Sequence, residues 1–103
     1  TAMANRDRDE VFSRLAILIE HMLKWEYQPS RRGNSWRRTI VVQRLRLRRR
    51  LASGSLRRHA ETILQDAYRD GVAAAAAATG IARAAFPATC PWTLEQLLED
   101  AER

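Results

Sequence analysis

Apolar residues recur at helical spacing along most of this chain, and two short breaks, residues 28–35 and 53–55, divide the pattern. A β-strand would need strict alternation of apolar and polar residues. The β-branched run 39–42 lies inside a helical pattern instead. Four glycines and three prolines are too few for the many turns of a sandwich or barrel. The chain is therefore expected to be all-α.

The spacing predicts a small antiparallel helical bundle of three main helices and a short C-terminal helix. The first helix, over about residues 7–27, carries two neighbouring apolar stripes: Val11, Leu15, Leu18, Met22 and Trp25, and Phe12, Ile19, Leu23 and Tyr27. A surface helix of a small bundle needs one stripe about 100° wide. We therefore expect a second copy of the chain, in a homodimer, or another protein to pack on the first helix.

The remaining helices are bounded by recognisable caps. The second is predicted over about residues 36–51 with Ser35 as its N-cap. The third is predicted from about residue 55 to 79, with either Ser53 or Ser55 as its N-cap and Gly80 after its end. A break at Gly71 is the alternative, but continuity is favoured because alanines follow at once. Thr93 opens a capping box for the last helix, which is expected to end near residue 101.

Length and cysteine usage indicate one domain in a reducing compartment. A chain of 103 residues is too short for two lobes, so residues 1–103 are read as a single domain. The single cysteine, Cys90, excludes an internal disulfide. The charged run 5–10 does not resemble a signal peptide, and the longest uncharged run, 71–82, is too short to span a bilayer. We expect a cytoplasmic protein with no membrane association.

Three blocks of sequence, in order, resemble a known family. They read HMLKWEYQP at residues 21–29, SWRRTIVVQR at 35–44 and CPWTLEQLL at 90–98. They are similar to the bacterial family catalogued as domain of unknown function 29, over about residues 11–100. The resemblance implies an all-helical fold with no assigned activity and no catalytic residues. Members usually carry a further acid-rich helical segment before the point where this sequence starts, so we expect the domain to lack it. That segment is a further candidate to pack on the first helix.

The strongest functional signal is a basic run. Eleven arginines lie in the range Arg31–Arg58, which contains no acidic residue, and the net charge of the chain is +6. Arg37, Arg44 and Arg48 share one helix face and are the candidate contacts to a polyanion such as nucleic acid. The alternative is a solvated face in an arginine-rich protein, which we favour because no nucleic-acid motif accompanies the run.

The sequence shows no pattern typical of catalysis or metal binding. His21, His59 and Cys90 lack the spacing of metal ligands. Cys90 lies shortly before a predicted helix N-terminus, which favours a reactive thiol, but a small buried thiol is the commoner outcome. We therefore expect no enzyme activity and no cofactor. The leading hypothesis is a non-catalytic protein-interaction module, and a nucleic-acid-binding accessory protein using Arg31–Arg58 is the second.

Five further side chains are expected to have structural roles. His21 and Gln43 are polar residues beside apolar stripes, at similar distances from the turn between the first two helices. They are predicted to form a hydrogen-bonded pair that fixes the register of the hairpin. Trp25 and Trp36 flank that turn and Trp92 precedes the last helix, so all three are predicted to be structural anchors.

Overall fold

A computed structural model describes residues 2–99, with side chains from residue 5 onward. Its helices are α1 (Ala2–Tyr27), α2 (Asn34–Arg50), α3 (Gly54–Thr79) and α4 (Leu94–Leu98). Single 3-10 turns cover Pro29–Arg31 and Arg83–Ala85. No β-strand occurs within the described range, and the predicted small all-α bundle of three long helices and one short helix is confirmed.

The first two helices form an antiparallel hairpin. Arg50, at the end of α2, pairs with Asp7 and Glu10 near the start of α1, with N–O distances of 3.3 and 2.8 Å. At the turn, Arg32 donates from Nε to the carbonyl of Trp25 at 2.7 Å. These contacts at both ends of the hairpin fix the two helices side by side.

The start of α2 differs from the sequence prediction. The helix begins at Asn34, and its N-cap is Gly33, which provides no side-chain hydrogen bond. The prediction that Ser35 caps this helix is therefore wrong. Ser35 lies inside the first turn, where its carbonyl accepts a hydrogen bond from the Thr39 hydroxyl at 3.1 Å.

The third helix lies along α1 in the same direction. Its first turn is beside the start of α1, where Leu56 and Arg8 line one surface depression. Farther along, Gly71 lies directly against Ile19. A methyl group at Gly71 would come 2.7 Å from Ile19 Cγ2 and 3.2 Å from the carbonyl oxygen of Ala16. The missing side chain therefore permits close approach of the helices, and α3 continues through Gly71 as predicted.

Both ends of α3 have side-chain or glycine caps. Ser53 accepts a hydrogen bond from the backbone N–H of Leu56 at 3.4 Å. Gly80 has φ of 78°, a left-handed conformation that glycine adopts at low cost, and its N–H donates to the carbonyl of Ala76 at 2.9 Å. The predicted end of this helix at Gly80 is confirmed.

The bundle itself covers most of the wide apolar arc of α1. Val11, Leu15, Leu18 and Ile19 are fully buried, whereas Ile17 remains 37% exposed. The other helices of the bundle reach both stripes because α3 presents small residues to α1. These small residues of α3 are Ala60, Ala67, Gly71 and Ala75. Little apolar surface of α1 is thus left for a partner to cover, and a homodimer or another protein on this helix stays a prediction.

The last helix is shorter than expected but starts as predicted. Thr93 accepts from the backbone N–H of Gln96 at 3.1 Å, and Gln96 accepts from the backbone N–H of Thr93 at 2.9 Å, which completes the capping box. The helix ends at Leu98, because Glu99 is already extended. The predicted continuation to residue 101 reaches beyond the described residues. Among residues 2–99, no helix has the length and apolar character needed to cross a membrane.

Candidate functional site

Two arginines on the inner side of α2 hold the last helix. Arg44 is only 5% exposed, and its Nε donates to the carbonyl oxygen of Leu97 at 2.9 Å. One turn later, Arg48 donates from Nε to the carbonyl oxygen of Leu98 at 2.6 Å. The last carbonyls of a helix have no partner within it, and cationic side chains satisfy them well. Arg44 and Arg48 therefore dock the C-terminus of α4 on α2.

This arrangement corrects the predicted polyanion strip. Arg44 is buried and its Nε is bonded to Leu97, while Arg48 is engaged with α4 although its side chain is exposed. Arg37, the third member, is exposed and lies 5.2 Å from the ring centre of Trp25. The three arginines do not form one polyanion-binding surface, because the side of α2 that carries them also faces α4.

The predicted pair of His21 and Gln43 does not form. His21 Nδ1 lies 2.8 Å from the carbonyl oxygen of Ile17, within its own helix. Gln43 Oε1 instead accepts from Arg14 Nη1 at 3.2 Å. The prediction is wrong because Arg14, two helical turns before His21, meets Gln43 across the hairpin. Arg14 also pairs with Glu10 at 2.7 Å, which holds its guanidinium in place.

The three tryptophans are all partly buried, but their surroundings differ. Trp25 packs against the core, and the guanidinium groups of Arg32 and Arg37 lie 5.1 and 5.2 Å from its ring centre. Trp36 lies 5.1 Å from the ammonium group of Lys24. Trp92 packs against the core just before α4. Such cation–π contacts contribute about 0.5–1 kcal/mol each at exposed sites.

The opposite side of α2 exposes apolar side chains between arginines. Val41 is 40% exposed and Leu45 is 50% exposed, and Val42 beside them is partly buried. The neighbouring exposed arginines have no side-chain partner in the part of the chain that the structure describes; they are Arg38, Arg46 and Arg49. We call these six residues, Arg38, Val41, Val42, Leu45, Arg46 and Arg49, the outer face of α2.

A groove opens beside the N-terminal half of the outer face. It has a volume of about 240 Å³ and lies between α1 and α2. Its apolar lining consists of Met22, Trp25, Ile40 and Val41. Because Val41 belongs to both features, the exposed apolar surface continues from the outer face into a concave site.

The thiol and carboxylate groups are arranged for structure. Burial raises the pKa of the Cys90 thiol, which donates a hydrogen bond to the carbonyl of Trp92 at 3.3 Å. A hydrogen bond from Arg14 holds the pKa of Glu10 below its usual value. The pKa of Glu95 is also lowered, by hydrogen bonds to its own backbone and to Arg57. Within the described residues, no cluster of three His, Cys, Asp or Glu side chains is suited to a metal ion.

Fold and surface together define a small helical bundle with an apolar, arginine-flanked helix face. The family model described as "Domain of unknown function DUF29" matches residues 1–101. The match spans nearly the whole chain, which therefore belongs to this family, as the three sequence blocks indicated. Comparisons with curated proteins and with solved structures gave no match.

Sequence reasoning missed the outer face, although a signal for it was present. Helical spacing predicts a buried side of α2 made of Trp36, Ile40, Gln43, Leu47 and Leu51. Val41, Val42 and Leu45 lie outside this stripe. Apolar residues outside a stripe that already satisfies the core are candidates for exposure. Helical spacing places Arg44 on the side of the buried Ile40 and Leu47, but its partner could not be read from local pattern because Leu97 lies 53 positions along the chain.

Proposed function

We propose that this protein is a non-catalytic protein-interaction module that binds its partner through the outer face of α2. The observation that carries the proposal is the exposure of Val41 and Leu45 in the most basic part of the chain. The core is complete without these side chains, because Ile40 and Leu47 provide the buried apolar contacts of α2. Exposed apolar groups bordered by charges are typical of interaction sites.

The distribution of apolar and charged groups favours a protein partner over nucleic acid. Protein interfaces have an apolar centre and a polar rim, and arginine is enriched in them. The outer face has this arrangement, with Leu45 at its centre and Arg38, Arg46 and Arg49 around it. The same arginines support the second candidate function, which is nucleic-acid binding. Arg44 is buried and is no longer among the candidate contacts.

The non-catalytic part of the proposal rests on the state of the reactive groups. Cys90 is a half-buried thiol whose pKa is raised by burial, and Glu10 and Glu95 form ion pairs with arginines. None of these groups lies in the groove beside α2. A free thiol also suits a reducing compartment, so we place the interaction in the cytoplasm.

Site-specific photo-crosslinking in cells tests the proposal. A photoreactive amino acid at position 45 should yield an adduct whose mass spectrum identifies a partner polypeptide. The same group at position 62, on the exposed side of α3, is the matched control and should not yield that adduct. Equal yields of that adduct at both positions, or no protein adduct at position 45, would contradict the proposal.

A gel-shift titration separates the two candidate functions. Binding of DNA or RNA through exposed arginines alone should weaken steeply from low to physiological salt, because counterion release drives it. We expect this weak, sequence-independent behaviour. Sequence-selective binding that survives physiological salt and is lost in Arg46→Glu would favour the nucleic-acid function instead.

A further inference from the structure

We infer that the element bound by the outer face of α2 is an acidic amphipathic helix of a partner protein. The inference rests on the proposed function and adds the chemical class and shape of the ligand. Three observations carry it: the spacing of the exposed apolar groups, the groove beside Val41, and the arginines that border both.

The spacing suits a helix laid along α2. Val41 and Leu45 are one turn apart, and Val42 widens the apolar strip between them. From Arg38 to Arg49 the outer face extends about 16 Å, or about three helical turns. Helix-in-groove recognition uses apolar anchors at i, i+3 or i+4 and i+7, which span a similar length.

The groove provides a place for the deepest anchor. Met22, Trp25 and Ile40 form an apolar wall next to Val41, and the volume of about 240 Å³ admits one large apolar side chain. Glu26, Arg37 and Arg44 also line the groove and border its apolar part. A leucine or phenylalanine of the partner helix inserted there would be covered on several sides, which is the environment of an interface hot spot.

The charges require an acidic ligand. Arg38, Arg46 and Arg49 are exposed. Of the nearby acids, Asp7 and Glu10 pair with Arg50. Glu26 lines the groove together with two arginines, Arg37 and Arg44, so positive charge predominates there as well. A net charge of +6 attracts anionic ligands at long range. Glutamates flanking the apolar strip of the ligand would therefore speed association and fix the register of the complex.

The same charges argue against a second copy of this chain. In a two-fold interface each patch meets itself, so Arg38, Arg46 and Arg49 would face the same three arginines. Like charges placed across an interface oppose association. A homodimer through the outer face is therefore disfavoured.

The test uses a defined ligand and the full chain. A fluorescent, end-blocked peptide of about 20 residues, long enough to form a helix, carries leucines at i, i+4, i+7 and i+11 with glutamates beside them. One control peptide has the same composition in scrambled order, and the other has lysine in place of each glutamate. Fluorescence anisotropy measures their binding at low and physiological salt. We expect the acidic amphipathic peptide to bind most tightly, and salt to weaken its binding.

Matched variants locate the binding site. Leu45→Glu should weaken binding of the acidic peptide about 30-fold, as expected for a hot-spot residue. Ile17→Glu alters an exposed apolar residue of similar exposure on α1 and should leave the affinity unchanged. Arg46→Glu should weaken binding about fivefold and reduce its salt dependence, whereas Arg58→Glu, on α3, makes the same charge change away from the face. Circular dichroism confirms that each variant is folded.

The outcomes distinguish this inference from the proposed function. Equal affinity for the acidic and scrambled peptides, or no effect of Leu45→Glu, would overturn the inference. Crosslinking at position 45 to a partner without an acidic helix would also overturn it, but would leave the interaction module standing. Vesicles of phosphatidylserine and phosphatidylcholine, and a DNA duplex, are additional arms of the test. Leu45-dependent binding of either with higher affinity than the peptide would replace the acidic helix by a lipid surface or a nucleic acid.

Discussion

The contact of α1 with α3 and the contact of α2 with α4 hold the same bundle together with opposite kinds of side chain. On α3, Gly71 and small residues remove volume so that Ile19 and its neighbours pack directly against the helix. On α2, Arg44 and Arg48 extend long charged side chains to the carbonyls of Leu97 and Leu98.

This difference shows how the arginine-rich helix α2 can have two roles: its inner side holds α4, and its outer face is exposed. The apolar contact of α1 with α3 depends on shape. The α2–α4 contact adds individual hydrogen bonds to backbone oxygens to the burial of Leu94, Leu97 and Leu98. Only the arginines on the inner side of α2 make these bonds. Arg38, Arg46 and Arg49, with the same chemistry on the outer side, remain available to a partner.

The largest effect should come from removing the buried guanidinium. Arg44→Ala should lower the free energy of unfolding by about 3 kcal/mol, because it leaves the buried carbonyl of Leu97 without its donor and creates a cavity. Urea denaturation measures this loss. Arg46→Ala is the matched control on the same helix and should change stability by less than about 0.5 kcal/mol. Equal losses in the two variants would contradict the division of α2 into two sides.

The shape-dependent contact should respond to a single methyl group. Gly71→Ala should destabilise the protein by about 2 kcal/mol through overpacking against Ile19 and Ala16, despite the better helix propensity of alanine. Gly54→Ala makes the same change in the same helix, where the added methyl would meet only the flexible Arg58 side chain at 3.6 Å. Thermal unfolding of both variants is the check, and a Gly71→Ala protein as stable as wild type would show that the helices can separate at low cost.

A hydrogen bond beside the α1–α3 contact should give a smaller, pH-dependent effect. Tyr68 donates to the carbonyl of Pro87 at 2.6 Å, and burial raises the pKa of Tyr68 to about 12. Tyr68→Phe should cost about 1 kcal/mol at neutral pH. Because the folded-state pKa exceeds the unfolded value of about 10, the stabilisation is present below pH 10 and is lost as pH rises to 12. Urea denaturation of both proteins across this range should show the difference disappear; a constant difference would contradict this assignment.

The smallest effect should appear at the start of α2. Gly33 is extended, with open space where a side chain would lie, and provides no cap. Gly33→Ser should raise the free energy of unfolding by a few tenths of a kcal/mol by supplying a hydroxyl acceptor to the first turn. Urea denaturation can resolve this gain. A loss of stability would indicate that the turn needs glycine at this position.

Most of the fold could be predicted from the sequence because its determinants are local. The caps at Ser53, Gly80 and Thr93 each act within three or four residues, and the apolar stripes repeat at helical spacing. The start of α2 was missed because Gly33 is a backbone cap without a side-chain signal. The coverage of α1 was missed because it depends on how closely α3 approaches at Gly71.

The candidate site was less predictable because it depends on which way each arginine faces. Helical spacing correctly placed Arg37, Arg44 and Arg48 on one side of α2, but could not show that α4 lies there. His21 and Gln43 were at the right height in the hairpin, yet a longer side chain, Arg14, reached Gln43. Contacts between distant segments decide such cases, and local pattern does not contain them.

Arginine-specific labelling with phenylglyoxal, followed by mass spectrometry, tests the two-sided helix most directly. In the folded protein, Arg38, Arg46 and Arg49 should react first and Arg48 more slowly, while Arg44 should be protected. Arg44 should become reactive only when urea unfolds the chain, and the acidic peptide should protect the outer arginines without changing Arg44. If Arg44 were labelled as fast as Arg46 in the folded protein, the two sides of α2 would not differ in solvent exposure, which would contradict their separate roles.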